Sequence, residues 1–353
     1  MEKTKVLVAP LNWGLGHAAR CIPIIRELQK NNYQPLLASD GAALELLKKE
    51  FPSLPYFELP SYNITYARKG AFLKWKLLSQ SRHILKNIRQ EKSAIDRLVK
   101  KHDIKGIISD NRWGAYHPST KNIFITHQLR VLSGITTPLT SAYHKKLIQK
   151  FDECWIPDFS SEKNLSGIMG HEKLKFPPKK YIGPLSRFHR KENTSFTYAF
   201  CVLLSGPEPQ RSLLEKILLQ ELSGISAKIL FIRGVFTPEV SLQEIDNITF
   251  KDYLYGRELE EALQQSELVI SRSGYTSFMD LAKLGKNAFF IPTPGQEEQL
   301  YLAKRAKKQG FADFCKQEDF TSEKLEAAKS FGGFNFFFGG TDLGNLFTLF
   351  ESE

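Results

Sequence analysis

Four short stretches of this chain hold residue types whose spacing could do chemistry. The first is Asn12-Trp-Gly-Leu-Gly-His-Ala-Ala-Arg20. Glycines let backbone N–H groups approach a bound anion, and a helix that opens there adds the positive end of its dipole. Gly14, Gly16 and Ala19 fit the spacing G-x-G-x-x-[GA] of dinucleotide-binding turns, and Asp40 stands near the place of the ribose-binding acid. A plain phosphate turn needs no His. His17, at the junction of loop and helix, is therefore a candidate proton acceptor with an imidazole pKa near neutrality.

The second stretch is Ser271-Arg272-Ser273-Gly274-Tyr275, followed by Asp280 six residues past the glycine. Hydroxyls and backbone N–H groups at such a turn suit a phosphate, and a carboxylate one and a half helical turns further on suits ribose hydroxyls. The third is Pro292-Thr-Pro-Gly-Gln-Glu-Glu-Gln299, where Gln296, Glu298 and Gln299 offer donors and acceptors matched to sugar hydroxyls. The fourth is Thr126-His127-Gln128, which supplies a second candidate base, His127. No Asp-x-Asp pair occurs in the sequence. Diphosphate chemistry clamped by a metal usually draws on such carboxylates, so a metal-independent reaction without a resident cofactor is expected.

These stretches need scaffolding, and the pattern around them supplies it. KVLVAP (5–10) is an apolar run ahead of the first glycine turn, and Ile22, Ile25 and Leu28 mark one face of the helix that follows to about residue 30. PLLAS (35–39), a helix over 42–50, KGIIS (105–109), NIFIT (122–126) and ECWIP (153–157) continue the series. The second half repeats it with AFCVLLSG (199–206), AKILFIRG (227–234), ELVISRSG (267–274) and NAFFIP (287–292), each followed by helical periodicity. Strands alternating with helices predict parallel sheets and right-handed crossovers. The 353 residues therefore read as two Rossmann-like domains, 1–185 and 186–340, with a C-terminal helix over 341–353 packing back on the first.

Composition narrows the partners. Apolar residues make up 42% and charged residues 25%, which is globular. No stretch approaches the roughly 20 apolar residues of a membrane span. Four Cys lie far apart without a C-x-x-C pair, which points to a reducing cytoplasmic setting. Residues 1–185 carry 30 basic and 15 acidic side chains, whereas 186–353 carry 19 and 23. The basic half should meet something anionic. Much of its excess sits in 66–92, where eight basic side chains and one acid are interleaved with Phe72, Leu73, Trp75, Leu77, Leu78, Ile84, Leu85 and Ile88. A basic amphipathic segment with a Trp suits an anionic membrane surface. The paired phosphate turns argue against nucleic acid.

Residues 267–303 resemble the nucleotide-binding stretch of the family 28 glycosyltransferases, the family that includes the enzymes adding N-acetylglucosamine to the lipid-linked muramyl-peptide precursor of peptidoglycan. The match runs through SRSG after a strand, an acid six residues later, Ala282, Gly285, an apolar strand ending at Pro292 and an acid–Gln pair before an Ala-containing helix. The first glycine loop with its His resembles the same family, and THQ resembles its His-Glu-Gln loop more loosely. The resemblance implies a GT-B fold, two Rossmann-like domains facing each other across a cleft, with the acceptor on the first and a UDP-sugar, the co-substrate, on the second. It implies further donor contacts at Arg187 and at Ser205 and Gly206, and the stretch Tyr253-Leu254-Tyr255 is placed to line the base. Leu302 stands where the family carries Asn, and the first loop has fewer glycines than the family's.

The implied reaction is transfer of a sugar, an N-acetylhexosamine, from UDP to a hydroxyl acceptor with inversion, the acceptor being lipid-linked and the enzyme peripheral on the inner face of the membrane. Backbone N–H groups at Ser273 and Gly274, with Arg187, would stabilise the leaving diphosphate. His17 would deprotonate the acceptor. Three other classes remain open on sequence grounds: an NAD-dependent dehydrogenase, which leaves SRSG and its acid unexplained; a sugar-nucleotide epimerase of the same architecture; and a non-catalytic sugar-nucleotide-binding protein, which would tolerate loss of His17.

Overall fold

The structure, a computed structural model, describes residues 3–62, 81–191, 195–235, 245–335 and 343–350. The chain forms two units that divide between Arg187 and Phe188, and the segment Gly344–Phe350 belongs to the first. Each unit is built on one parallel sheet.

In the first unit the strands are β1 (Lys5–Pro10), β2 (Gln34–Ser39), β3 (Tyr56–Glu58), β4 (Gly106–Asp110), β5 (Lys121–Ile125), β6 (Glu153–Ile156) and β7 (Lys179–Tyr181). Their order is β3-β2-β1-β4-β5-β6-β7. Strands covered on both faces read as continuous apolar runs, which is why these segments stand out in the sequence. Val6, Leu7, Val8, Ile107, Ile108, Ile123 and Phe124 have no exposed surface. The Gly16–Lys30 helix buries Ile22, Ile25 and Leu28, as their spacing predicts, together with Cys21 and Ile24. The order reverses direction between β1 and β4. At such a switch point the loops leaving the carboxyl ends diverge and leave room for ligands.

The second sheet contains β8 (Tyr198–Leu203), β9 (Ile229–Ile232), β10 (Ile248–Lys251), β11 (Ser266–Ser271), β12 (Asn287–Phe290) and β13 (Asp313–Phe314), in the order β10-β9-β8-β11-β12-β13. Its switch point lies between β8 and β11. The aromatic segment near residue 334 enters this unit's core. Phe334 is fully buried against Phe278, Phe290 and Phe311, while 336–340 lie outside the described residues. Short edge strands β7, β10 and β13 and the Thr137–Ile148 helix escaped the sequence pattern. Edge strands lack two-sided burial, and the helix has a weak apolar face.

The basic segment 66–92 is described only in part, since 66–80, with Phe72, Lys74, Trp75 and Lys76, lie outside the described residues. The remainder starts the Ser81–His102 helix. Two of its expected lipid-facing residues are corrected: Ile88 is buried and Ile84 packs beside it, against Leu11, Tyr62 and Trp113. Helical periodicity alone does not say which neighbour an apolar face meets.

The C-terminal segment Gly344–Phe350 is a short 3-10 helix rather than an α-helix. The Tyr33 hydroxyl donates to the Phe347 carbonyl at 2.9 Å, and the Phe347 and Phe350 rings pack on Tyr33 at 5.9 and 6.2 Å. Gly106 lies beneath Phe350, where an added Cβ would collide with the ring. Gly106→Ala should therefore destabilise the protein by about 1–3 kcal/mol in denaturant unfolding, the scale of overpacking. Pairing it with Phe350→Leu should recover part of the loss. An unchanged midpoint for Gly106→Ala alone would refute this packing.

Candidate functional site

The candidate residues of the first half gather at the carboxyl ends of β1, β4 and β5. Gly14 has φ +79°, and nothing approaches within 4 Å of where its Cβ would be, so the loop is open above this residue. Three residues later His17 begins to turn inward with 14% of its side chain exposed. Its Nδ1 lies 2.8 Å from Asp110 Oδ1 and 2.8 Å from Arg20 Nη2. Asp110 ends β4 beside Pro10 of β1. Arg20 reaches the same carboxylate twice, through Nε at 2.5 Å and through Nη2.

Arg20 donates two hydrogen bonds to Asp110. His17 Nδ1 can accept from Arg20 Nη2 or, in the other tautomer, donate to Asp110 Oδ1, and the second of these is the one that presents a base. His17 Nε2 is then the basic nitrogen. Arg20 Nη1 donates to His127 Nδ1 at 3.1 Å, which in the neutral ring puts the proton on Nε2, 3.4 Å from the Gln128 side-chain amide. The two histidines thus differ in chemistry: His17 can take a proton, and His127 can give a hydrogen bond. Burial lowers the His17 pKa, and Arg20 lowers it further, against the opposing pull of Asp110. The imidazole is neutral near pH 7. Burial pushes the Asp110 pKa up, but Arg20 and His17 outweigh it and hold the carboxyl well below its ordinary range.

Sequence reasoning missed Asp110 and gave Arg20 no role. The available signal was an acid closing a strand at the switch point. Asp40, the ribose-binding acid of the dehydrogenase alternative, is taken up otherwise. Its carboxylate accepts from Arg112 Nη1 at 2.6 Å and from Asn12 Nδ2 at 3.1 Å. Arg112 has no exposed surface, also pairs with Glu91, and donates to the Pro60 carbonyl. A buried cation so placed needs its carboxylates. Arg187, at the end of the first unit, lies 3.7 Å from Glu50 Oε1 through its Nη1.

The second-half candidates line the carboxyl ends of β8, β10, β11 and β12. Gly274 is the N-cap of the Tyr275–Leu284 helix, whose first-turn N–H groups face the rim. The nearest atom to an added Gly274 Cβ is 4.0 Å away, so an anion could approach closely. Asp280 lies partly buried on the same helix, and Tyr275 is buried. Ser205 and Gly206 follow β8, Gly206 with φ +105°. Tyr253 and Tyr255 stack at 6.2 Å on either side of Leu254, after β10.

Several side chains expected at the ligand also brace the loops. The Arg272 guanidinium donates to the carbonyls of Ile291, Pro292 and Gln210 and to Gln317 Oε1. Burial lowers its pKa to about 10. The Ser271 and Ser273 hydroxyls donate to the carbonyls of Arg272 and Gln299, at 3.2 and 2.8 Å. Gln299 Oε1 accepts from Thr293 N at 2.8 Å, and its Nε2 donates to Gln296 Oε1 at 2.6 Å. The polar groups of Arg272, Ser273 and Gln299 are thus bonded to neighbouring loops, and their residues shape the turn. Glu298 is partly buried in the first turn of the Glu297–Lys308 helix.

With this geometry in place, the relatives are informative. Residues 212–330 match the glycosyltransferase family 28 C-terminal domain. An uncharacterized glycosyltransferase of Methanopyrus kandleri is 22% identical over 86% of this chain and 90% of its own length. The UDP-N-acetylglucosamine–N-acetylmuramyl-(pentapeptide) pyrophosphoryl-undecaprenol N-acetylglucosamine transferase of Haemophilus ducreyi is 23% identical over 88% of this chain and 84% of its own. Among solved structures, the glycotransferase of kitacinnamycin superposes with a TM-score of 0.65 at 13% identity, covering 93% of this chain and 90% of its own. MurG of Acinetobacter baumannii superposes with a TM-score of 0.55 at 14% identity, covering 95% and 94%. The fold is GT-B, and the chain is a glycosyltransferase resembling family 28.

The buried pair yields a stability prediction. Asp110→Ala leaves Arg20 buried without its counter-ion, which should cost about 3–5 kcal/mol in denaturant unfolding. Because the folded pKa of Asp110 is depressed, its contribution is full above the ordinary carboxylate value of 3.8 and is lost as pH falls from there toward the folded value. The wild type should therefore lose stability below that pH more steeply than the variant. Equal acid slopes would contradict the pairing.

Proposed function

We propose that this chain transfers N-acetylglucosamine, or a closely related N-acetylhexosamine, from a UDP-sugar to a hydroxyl acceptor with inversion at the anomeric carbon. The observation that carries the reading is the His17–Asp110–Arg20 arrangement beside an open glycine turn. His17 Nε2 takes the acceptor proton, and Asp110 stabilises the imidazolium that forms while keeping the ring oriented. The freed oxygen attacks the anomeric carbon as the bond to the UDP oxygen breaks. UDP departs with that electron pair. The single displacement inverts the centre. His127 Nε2–H donates to the acceptor.

The second unit holds the donor. Backbone N–H groups at Ser273 and Gly274 and the following helix turn meet the diphosphate, with Ser205 and Gly206 as further contacts. Asp280 accepts from the ribose hydroxyls, Glu298 and the neighbouring Gln296 from the sugar, and Tyr253 and Leu254 line the uracil. No metal or resident cofactor takes part in this scheme, which rests on N–H donors.

Two measurements test the chemistry. Asp280→Ala should weaken UDP binding by about 1–3 kcal/mol in calorimetry; equal affinity would remove Asp280 from the donor site. His17→Ala should lower kcat about 10²–10⁴-fold while UDP affinity stays within a few-fold. The acid limb of wild-type kcat/KM should titrate below 6.5, because burial and Arg20 depress the His17 pKa. Near-normal turnover without His17 would move the base elsewhere.

The acceptor is proposed to be lipid-linked and the enzyme peripheral on the cytoplasmic face of a membrane. Among the described residues no helix is long and apolar enough to cross one. The basic segment 66–92 and the charge of the first unit support contact with anionic lipid, each basic residue adding about 1 kcal/mol. Co-sedimentation with anionic vesicles should weaken with salt and on changing Lys74, Lys76 and Arg82 to Glu. Indifference to anionic vesicles at low salt would favour a soluble acceptor.

A further inference from the structure

The loop after β12 contains a polar group for which the fold provides no partner. Thr293 is 4% exposed, and its Oγ1 is buried without a hydrogen-bond partner among the described residues. Buried hydroxyls are paired as a rule, and a specific exception needs a reason. The polar groups around it are already matched to one another. Thr293 N donates to Gln299 Oε1, Gln299 Nε2 donates to Gln296 Oε1, and the Ser273 hydroxyl donates to the Gln299 carbonyl. The threonine hydroxyl is left over, as is Arg272 Nε, which as part of a guanidinium already held by four acceptors belongs to the brace.

Its surroundings describe what is missing. Ile291 N donates to the Ser271 carbonyl, so Pro292 and Thr293 run beside Arg272 and Ser273. Leu203 pairs with Ser271, so the β8 loop flanks the same turn on its other side. Thr293 reaches across toward that loop. A Cβ added at Gly206 would lie 3.9 Å from Thr293 Oγ1 and within 4 Å of nothing else. Gly274, at the helix N-terminus, is equally open. Gly206 and the buried hydroxyl therefore border one open space, and the helix start at Gly274 leaves β11, the strand between those that carry them. Helix-start N–H groups carry partial positive charge, and a hydroxyl without a partner adds one more donor, so the group they fit is a phosphate oxygen.

We propose that Thr293 is a diphosphate ligand, its hydroxyl donating to a phosphate oxygen lodged over Gly206 and the Gly274 turn. The inference rests on the donor site proposed above but not on the identity of the base. Thr293→Val keeps the shape and removes the hydroxyl; Thr293→Ser keeps the hydroxyl. Calorimetry with UDP, dTDP, GDP and uridine separates the two readings. Thr293→Val should raise the Kd of whichever nucleoside diphosphate the wild type binds by about tenfold, the scale of a hydrogen bond to a charged group. It should leave uridine affinity unchanged and the Tm equal or higher, since an unpaired buried hydroxyl has been removed. Thr293→Ser should bind within a few-fold of wild type. Diphosphate affinity of Thr293→Val within twofold of wild type overturns the proposal, as does an equal loss in Thr293→Ser. Binding of dTDP or GDP in place of UDP overturns the uridine assignment alone. Failure of the wild type to bind any of the three diphosphates overturns both.

Discussion

The pairing of Arg20 with Asp110 is the constraint on which the first site depends. Both side chains are essentially without exposed surface. A guanidinium buried in that way is tolerable only when a carboxylate and further acceptors meet it. The helix after β1 and the end of β4 are thereby held in one register at the switch point of the sheet. The pair also touches both histidines. Asp110 Oδ1 and Arg20 Nη2 each lie 2.8 Å from Nδ1 of His17, and Arg20 Nη1 donates to Nδ1 of His127. One ion pair thus holds two imidazoles at the same rim in unlike surroundings.

The same sheet order appears twice in the chain, but the two rims are chemically unlike. At the first, titratable groups converge: His17, Asp110, Arg20 and His127, with Arg112, Asp40 and Glu91 forming a second buried network behind them. At the second, the available groups are mostly neutral donors, namely the N–H groups of a helix start and hydroxyls. The Arg272 guanidinium there holds loop carbonyls in place. A rim that moves a proton requires tuned pKa values, whereas a rim that holds a diphosphate requires fixed dipoles. The division matches a glycosyl transfer in which one partner must be deprotonated and the other must leave as an anion.

Rigidity of the second rim has a visible source. Gln299 ties the Thr293 backbone to Gln296 and receives Ser273, so three turns are locked by amide and hydroxyl groups. Preorganised donors of this kind do not have to reorient as charge develops on a leaving group. Polar residues in the sequence that suggest sugar contacts therefore serve the shape of the site as much as its ligand.

What the sequence by itself determined follows from local pattern. Apolar runs such as KVLVA and ELVIS must be buried on both faces, so they are parallel strands. Glycine turns after them must be loops opening helices, which placed Gly14, Gly16, His17 and Gly274 correctly at carboxyl ends. Edge strands and the weakly amphipathic Thr137–Ile148 helix lacked such a pattern and were missed. Only the tertiary structure decided which charges meet. Arg20 and Asp110 are 90 positions apart, and Arg112 and Asp40 are 72. It also tied Arg272, Ser273 and Gln299 into the neighbouring loops and left the Thr293 hydroxyl unpaired among the described residues. The reason is physical: burial in a strand or helix is written in local periodicity, but a buried charge or hydroxyl takes whichever partner the packed sheets bring within hydrogen-bond reach.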